Sequence, residues 1–397
     1  MTGQGPPRLT LGAIARAHGE EFKKQHALTE AQRKVLRDVS ACRTPVLGGR
    51  LDVCADCGHS ETVFHSCRNR HCPQCQALTQ ARWMDGRLER LLPVDYFHVV
   101  FTVPDDLLAN LALWNRELFF DAMFAAGSQT LLALGDDKKR LGARLGLTAV
   151  LHTWTRDLRF HPHLHCIVTG GGLTRDGKAW RAAKQDYLFP VAVLSKLFRG
   201  KLVALLDEAY KAGRLDVRNV EGLGDAADPD SAWRRLRRKL FRTKWVSYAK
   251  PPFAGPESVY RYLGQYTHRV GLSNHRLISA TDAAVTFRTR GAETISLHPQ
   301  EFLRRFLLHV LPEGFVKMRH YGLLAPGNVN TKLAAARALL QPQTLTPPTS
   351  PPSAEASPED WRTLFMRLTG VDLTRCRRCG GPLVSRPLSA PTPRDSS

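Results

Sequence analysis

Residues 161–172, HPHLHCIVTGGG, decide the fold of this chain. Their β-branched and apolar residues predict a strand, and alternation along a strand places His163 and His165 on one face and Leu164 on the other. Two imidazoles ~7 Å apart along a strand can share one divalent ion. Because such a pair is also common as a buried structural pair, its neighbours matter, and the glycines at 170–172 let another backbone or a nucleotide approach.

The sequence around this strand predicts a mixture of helices and strands. Residues 96–103, YFHVVFTV, alternate as a strand does, and Asp176-Gly177 suits the turn of a hairpin. Thr29 and Gln32 form a capping box ahead of an apolar stripe. Helices are predicted over 29–41, 76–92, 107–144, 192–213 and 233–245.

A second functional candidate is the stretch at 260–271, YRYLGQYTHRVG. Read as a helix, it places Tyr262 and Tyr266 one turn apart on the same face. Gln265 and Arg269 share that face, which packing alone does not explain and a phosphate site would. With a metal ion on the two imidazoles to polarise a phosphate, a tyrosine could attack phosphorus and leave a covalent tyrosyl–DNA bond, with Arg269 steadying the phosphate.

Cysteines crowd the N-terminal part of the chain, where six of nine stand between Cys42 and Cys75. The CxxC pairs at 54–57 and 72–75 predict a tetrahedral, structural zinc site, because two tight turns can each offer two thiolates. An arrangement in which these residues are divided between two zinc ions also stays open. The predicted structural-zinc ligands are Cys54, Cys57, Cys67, His71, Cys72 and Cys75. A further CxxC at 376–379 is by itself a weak signal, since two ligands do not complete a site.

The charge of the chain favours a nucleic-acid partner. Lys and Arg number 57 against 36 acidic residues, a formal net charge of +21. Phosphate contacts are predicted for Arg68 and Arg70, which stand among the cysteines of the predicted zinc module, and for the basic helix at 233–245. The helix residues are Arg234, Arg235, Arg237 and Arg238. With no apolar run of ~18 residues and no leader-like N-terminus, we expect a cytoplasmic protein that engages no membrane.

Four stretches of the chain closely resemble the two-tyrosine transposases of the insertion sequence 91 family, within the HUH class of single-strand endonucleases. They are SCRNRHCPQCQ (66–76), HTWTRDLRFHPHLHCIVTGGG (152–172), KWVSYAKPPFAGPESVYRYLGQYTHRVGLSNHRL (244–277) and RHYGLLA (319–325). FTVP (101–104) resembles the first strand motif of the family. The resemblance runs in order over most of the chain.

This resemblance implies an α+β fold, an HUH-type antiparallel sheet with flanking helices plus a small N-terminal zinc-binding domain. It implies a zinc-binding DNA-contact domain at 1–95 and a nuclease domain at 96–340. The composition of 341–359, rich in Pro, Ser and Thr, predicts a disordered linker, so that 341–397 is a linker and a CxxC tail.

The activity implied is rolling-circle-like transposition of an insertion sequence by site-specific single-strand cuts and strand transfer. The HUH pair falls on His163 and His165, and the nucleophiles that would form 5′-phosphotyrosine intermediates fall on Tyr262 and Tyr266. The catalytic ion is expected to be Mg²⁺ or Mn²⁺. Gln265 is the first candidate for its third ligand, and His152 is the second. The expected partner is DNA, as single-stranded element ends, with no small-molecule substrate.

Two rival functions fit parts of the same sequence. A replication initiator or relaxase would use the same nuclease core, but the zinc module and the AGPES stretch at 254–258 favour a transposase. A non-catalytic zinc-dependent DNA-binding protein would form no covalent adduct with DNA. Relatives often carry a histidine where this chain has Arg50, which counts against a zinc site built on Cys42, Cys54 and Cys57.

Overall fold

The computed structural model describes residues 9–88, 90–184, 186–223, 226–250, 271–341 and 360–390. The chain divides into two compact units. The terminal unit comprises Met1–Arg82, His268–Val310 and Thr344–Ser397. The central unit comprises Trp83–Thr267 and Leu311–Gln343.

Strands and helices alternate irregularly along the described residues. The strands are β1 (Gly49–Cys54), β2 (Ser60–Phe64), β3 (Tyr96–Thr102), β4 (Arg144–Trp154), β5 (Phe160–Leu173), β6 (Trp180–Ala182), β7 (Ser247–Lys250), β8 (Leu277–Ala280), β9 (Val285–Arg288), β10 (Thr294–Leu297), β11 (Met318–Gly322) and β12 (Leu383–Leu388). The α-helices are α1 (Leu11–Gln25), α2 (Glu30–Ala41), α3 (Ala77–Leu88), α4 (Asp105–Trp114), α5 (Arg116–Asp136), α6 (Val191–Lys211), α7 (Pro229–Arg242), α8 (Pro299–Leu307), α9 (Ala334–Leu340) and α10 (Trp361–Thr369).

The central unit is built on an antiparallel sheet in the order β11-β4-β5-β3-β7, with β6 paired to β5. The predicted strand at 164–172 is part of β5, which lies in the interior of the sheet between β4 and β3. The hairpin predicted at Asp176-Gly177 is present, with Gly177 at φ +73° between β5 and β6. The α+β class with an antiparallel sheet and helices beside it is therefore confirmed.

Helices α4, α5 and α6 pack against this sheet. The sequence predicted helix over 107–144, and the structure divides this segment into α4 and α5 before β4 begins. Helix α5 is long and apolar enough to cross a membrane by composition, but 67% of its most apolar window is buried inside the protein. Phe119, Phe120 and Phe124 of α5 are fully buried, so the helix serves as the core of the central unit.

The terminal unit contains two small antiparallel sheets in the described residues, β12-β1-β2 and β10-β9-β8. Helix α2 begins with the predicted capping box, in which the Thr29 hydroxyl accepts from the Gln32 N–H and the Gln32 side chain accepts from the Thr29 N–H. Helix α1 packs against α2 and α8. Burial of Val35, Leu36 and Val39 on α2 supplies the apolar contacts of this layer.

The domain boundaries at 95/96 and 340/341 stay a prediction. The tail that was expected to follow a linker lies in the terminal unit, where β12 pairs with β1 along its whole length. Within the described part of the tail, 360–390, the chain is ordered into α10, a turn and β12. The predicted linker at 341–359 lies almost wholly outside the described residues.

Candidate functional site

Three imidazoles meet on one face of the central sheet. His163 and His165 lie on β5, and His152 lies on β4 directly opposite His163 in the strand register. One nitrogen from each ring lies within 4.8 Å of the others, close enough to ligate one ion. As alternation predicted, Leu164 and Cys166 point to the opposite face, where both are fully buried. The strand pattern thus places three nitrogen donors on a rigid, hydrogen-bonded support.

Neighbouring groups fix the orientation of these rings. The His163 Nδ1 lies 2.7 Å from the carbonyl oxygen of His161, so Nδ1 donates its proton there and Nε2 keeps the lone pair. His152 stacks on Trp154, with ring centroids 4.7 Å apart. His98 on β3 brings its Nε2 within 2.8 Å of the His165 Nδ1. Such outer partners set the tautomer and direction of a metal-binding histidine.

Burial keeps all four rings neutral. Desolvation lowers the pKa of His163 to about 4, against the opposing effect of its hydrogen bond to His161. Desolvation, with a smaller effect of Lys250, lowers the pKa of His98 to about 4. The pKa values of His152 and His165 fall well below the ordinary value for the same reason. Neutral imidazole is the form that binds a metal ion, so at neutral pH the cluster needs to lose no proton.

Sequence reasoning named His163, His165 and, as a second choice, His152, and the structure brings these three together. It missed His98, which stands in the YFHVVFTV strand with nothing in its spacing to link it to the pair. The link comes from strand pairing, because β3 places Val100 opposite His165 and His98 two residues along. Tyr262, Tyr266, Gln265 and Arg269 lie outside the described residues, so their roles stay predictions.

Four thiols of the terminal unit gather in a first group, Cys42, Cys67, Cys72 and Cys75. The Sγ atoms of Cys67 and Cys75 are 3.8 Å apart, and those of Cys42 and Cys72 are 3.5 Å apart. Zinc with four sulfur bonds of ~2.3 Å separates neighbouring sulfurs by ~3.8 Å. His71, expected among the zinc ligands, is not in this group, and its Nδ1 lies 3.2 Å from the Asn69 Oδ1.

The CxxC pair at 54–57 lies in a second group, with the tail cysteines Cys376 and Cys379. The sequence interpretation that joined 54–57 to 72–75 differs from this arrangement, because the β1–β2 hairpin carries the first pair away to the edge where the tail adds β12. The same hairpin separates Cys42 from 54–57, so the alternative set of Cys42, Cys54 and Cys57 does not form either. A glycine follows the second cysteine of CADCG and CRRCG but not of CPQCQ, and this signal could have indicated the pairing.

Basic residues form two exposed surfaces. In the terminal unit, a cleft of about 970 Å³ is lined by Arg43, Arg50, Arg68, Arg82, Arg375 and Arg377, among other residues. Arg70, at the first thiol group, is half-buried. In the central unit, α7 exposes Arg234, Arg235 and Arg238, while Trp233 and Leu240 are buried.

One arginine that was predicted to contact phosphate forms an ion pair within the protein instead. The Arg237 guanidinium lies 3.0 Å from the Asp207 carboxylate, which also accepts from the Trp233 Nε1 at 3.0 Å. Arg237 therefore anchors α7 to α6, although it still lines a cavity of about 420 Å³ with Arg234, Arg238 and Phe241.

Comparison with known proteins shows a consistent set of relatives. A family model described as a "Transposase zinc-binding domain" of insertion sequence 91 type matches residues 14–103, and one described as "Putative transposase" matches residues 146–332. A protein of Sinorhizobium fredii named "Putative transposase y4qJ" is 43% identical over 390 residues, 96% of this chain and 94% of the relative. The transposase for insertion sequence element IS801 of Pseudomonas savastanoi pv. phaseolicola is 26% identical over 382 residues, 91% of this chain and 85% of that one.

A solved structure of the conjugative relaxase TrwC, in complex with its origin DNA and metal-bound, aligns with 66% of this chain and 96% of its own. The identity is 13% and the TM-score is 0.25, too low to establish a shared arrangement of elements. The match of the zinc-binding family model confirms the expected N-terminal zinc-binding domain.

Proposed function

This chain belongs to the insertion sequence 91 family of transposases, and we propose that it transposes DNA by site-specific single-strand cuts and strand transfer. In this proposal each cut leaves a 5′-phosphotyrosine intermediate, as rolling-circle-like transposition of an insertion sequence requires. The substrate is DNA presented as single-stranded element ends, and no small molecule takes part. The proposed place of the reaction is the cytoplasm.

The cluster of His152, His163 and His165 is the observation that carries this proposal. Three neutral nitrogen donors within 4.8 Å of one another fit one divalent ion, and a bound ion would polarise a phosphate and offset its developing negative charge. Of the two ions expected, Mn²⁺ suits imidazole ligands better than Mg²⁺, which prefers oxygen. His98 is a positioning residue, since its contact with the His165 Nδ1 turns that ring toward the shared centre.

Tyr262 and Tyr266 are the proposed nucleophiles. A phenol oxygen forms a bond to phosphorus, the bond between phosphorus and the 3′ oxygen breaks, and the phenolic proton ends on that 3′ oxygen. A phenol with an ordinary pKa of ~10 is a weak nucleophile at neutral pH, so a cationic environment at the phosphate is needed. We assign that part to Arg269 together with the histidine-bound ion.

The basic surfaces described above supply affinity for DNA rather than chemistry. Arg68 and Arg70 lie at the first thiol group, and Arg234, Arg235 and Arg238 are exposed on α7. Phosphate contacts of this kind hold the strand without selecting its sequence. The zinc module is structural, because four thiolates leave no open position on the ion for a substrate.

Trapping the covalent adduct tests this function. A single-stranded oligonucleotide carrying the element end is incubated with the full chain and Mn²⁺, and the cross-linked peptide is mapped by mass spectrometry. Tyr262→Phe should still form an adduct at Tyr266, and Tyr266→Phe one at Tyr262, while the double variant forms none. Tyr260→Phe is the matched control, as a tyrosine of the same stretch with no assigned role.

If the unchanged chain forms no adduct, the proposed cutting reaction is wrong. The remaining interpretation is then a non-catalytic, zinc-dependent DNA-binding protein. Loss of the adduct in one single variant alone would restrict the chemistry to one tyrosine.

A further inference from the structure

We propose that Cys54, Cys57, Cys376 and Cys379 bind a second structural zinc ion, in a site split between the two ends of the chain. The ion would fasten the tail segment 376–388 to the β1–β2 hairpin, with Cys57 and Cys376 319 residues apart in sequence. The tail cysteines lie outside both ranges matched by the family models, 14–103 and 146–332. The site is independent of the proposed cutting chemistry.

The thiol geometry fits zinc and does not fit disulfides. The Sγ atoms of Cys54 and Cys379 are 3.4 Å apart, and those of Cys57 and Cys376 are 3.8 Å apart. A disulfide would require ~2.05 Å, whereas a tetrahedral zinc site requires ~3.8 Å. All four sulfurs lie within 4.8 Å of one another, as a single ion demands.

The two CxxC turns have the same local structure. In CADCG the Gly58 N–H donates to the Cys54 carbonyl at 3.1 Å, and in CRRCG the Gly380 N–H donates to the Cys376 carbonyl at 2.9 Å. Both glycines have positive φ, +69° and +78°, where residues with a Cβ are strained. In the tail turn, backbone N–H groups also point at sulfur, since Gly381 N–H donates to the Cys379 Sγ at 3.4 Å. Two such turns facing each other form the sulfur cage of a zinc ribbon.

Backbone pairing brings the two turns together. β12 runs antiparallel to β1 from Gly49 opposite Leu388 to Cys54 opposite Leu383. The ladder continues beyond the strands, because the Ala55 N–H donates to the Pro382 carbonyl at 3.0 Å. At Gly48 an added Cβ would lie 2.9 Å from the Leu388 carbonyl oxygen, so the two backbones also approach closely at the far end of this pair.

The described tail has almost no apolar core of its own. Within 360–390 the buried residues are Leu364, Cys376 and Gly381, and the outer strand β12 is exposed along most of its length. An edge strand with so little burial does not stay paired by hydrophobic contact. A metal ion that replaces the missing core is the usual solution in segments of this size.

Fastening the tail completes the basic cleft of the terminal unit. The tail contributes Trp361, Phe365, Arg375 and Arg377 to its lining. Aromatic rings beside arginines suit a single strand, because bases stack on the rings while phosphates meet the guanidinium groups. This part of the inference rests on the proposed DNA substrate.

Zinc content of the full chain tests the split site. Cys376→Ser with Cys379→Ser should contain one zinc per chain fewer than the unchanged protein, by plasma emission spectrometry after desalting. Cys379→His should keep the ion, because zinc accepts an imidazole in place of a thiolate and this position is exposed. Cys166→Ala is the control, since Cys166 is the one cysteine of the nine outside both thiol groups and should change nothing. Equal zinc content in the double serine variant would overturn the proposal.

If the double variant fails to fold, a cleavable chain gives the answer. A protease site placed in the predicted linker at 341–359 separates the tail after purification. The tail fragment should stay with the rest of the chain while zinc is present and leave when a chelator removes it. A fragment that leaves with zinc still bound, or stays after all zinc is gone, contradicts the split site.

Affinity for a single-stranded oligonucleotide, measured on the same double variant, separates the two parts of the inference. We expect weaker binding, by ~5-fold or more if one base stack worth ~1 kcal/mol or more is lost. Unchanged affinity with one zinc fewer would refute the role of the cleft and leave the metal site standing.

Discussion

Replacing His152 with alanine is the most direct test of the histidine cluster. The change removes one of three nitrogen donors that lie within 4.8 Å of one another. His152 is only 4% exposed, so its ring is shielded from bulk solvent. Its loss should therefore disable the ion rather than merely reposition it.

The expected size of the effect follows from what the ion contributes. Loss of an outer-shell partner already weakens metal binding by ~10–100-fold, so loss of a direct ligand should cost at least ~100-fold. A metal ion contributes several kcal/mol to a charged transition state, and each 1.36 kcal/mol is tenfold in rate. Cleavage of a single-stranded element end should thus slow by ~10³-fold at fixed Mn²⁺, while DNA binding by the arginine surfaces stays within a few-fold.

The assay is single-turnover nicking across a Mn²⁺ titration, with DNA binding by fluorescence anisotropy as the parallel readout. His161→Ala is the matched control, because His161 lies on the same strand and its ring bonds Asp105 instead of joining the cluster. Gln265→Ala tests the other candidate ligand. Wild-type cleavage and metal dependence in His152→Ala, with loss of both in Gln265→Ala, would refute the assignment of His152.

Two further outcomes follow from the charged groups. DNA affinity should fall steeply with salt, and Arg234→Ala or Arg238→Ala should each reduce the slope of log K against log salt by ~1, whereas a slope near zero in the unchanged protein would exclude phosphate contacts. Hydrogen bonds from Arg304, with burial opposing and Arg305 adding to them, lower the pKa of Glu301 to about 2. Because a depressed carboxyl pKa stabilises the fold above the unfolded value of ~4.3 and loses that effect as pH falls to 2, the melting temperature of Glu301→Gln should lie below that of the unchanged protein at pH 6 and match it near pH 2. A constant difference at both pH values would contradict the pairing.

Two strands buried in the central sheet could be predicted from the sequence, and a third could not. β3 and β5 carry readable alternation or end in a glycine run, and both were identified. β4 reads RLGLTAVLHTW and is buried at nine consecutive positions, 145–153. Leu145, Leu147, Ala149 and Leu151 stand at every second position, but Val150 and Trp154 add apolar residues to the other face, and the strand was not identified. The capping box at Thr29 is a purely local signal, and it correctly predicted the residue at which α2 begins.

The candidate site shows the same division between local and long-range information. His163 and His165 lie two residues apart on one strand, so alternation alone places them together. His152 and His98 join them only through strand pairing with β4 and β3, which no local pattern reports. The thiol groups are harder still, because Cys376 meets Cys57 across 319 residues. Spacing along the sequence favoured one zinc site built from the two nearest CxxC pairs. In the structure, the pairing of strands brings the pair at 54–57 to the distant CxxC pair of the tail instead.

The two kinds of metal site have different structural supports, and this difference separates binding from cutting. The histidines stand on interior strands whose backbones are paired on both sides, so their positions depend on the sheet and not on the ion. The thiols stand in turns and at the ends of elements, and the tail pair precedes the edge strand β12, which has little apolar burial, so there the ion holds the chain together. Removing the histidine ligands should therefore leave a folded protein that binds DNA without cutting it. Removing the thiolates should instead disorder a DNA-contact surface while the imidazole cluster keeps its geometry.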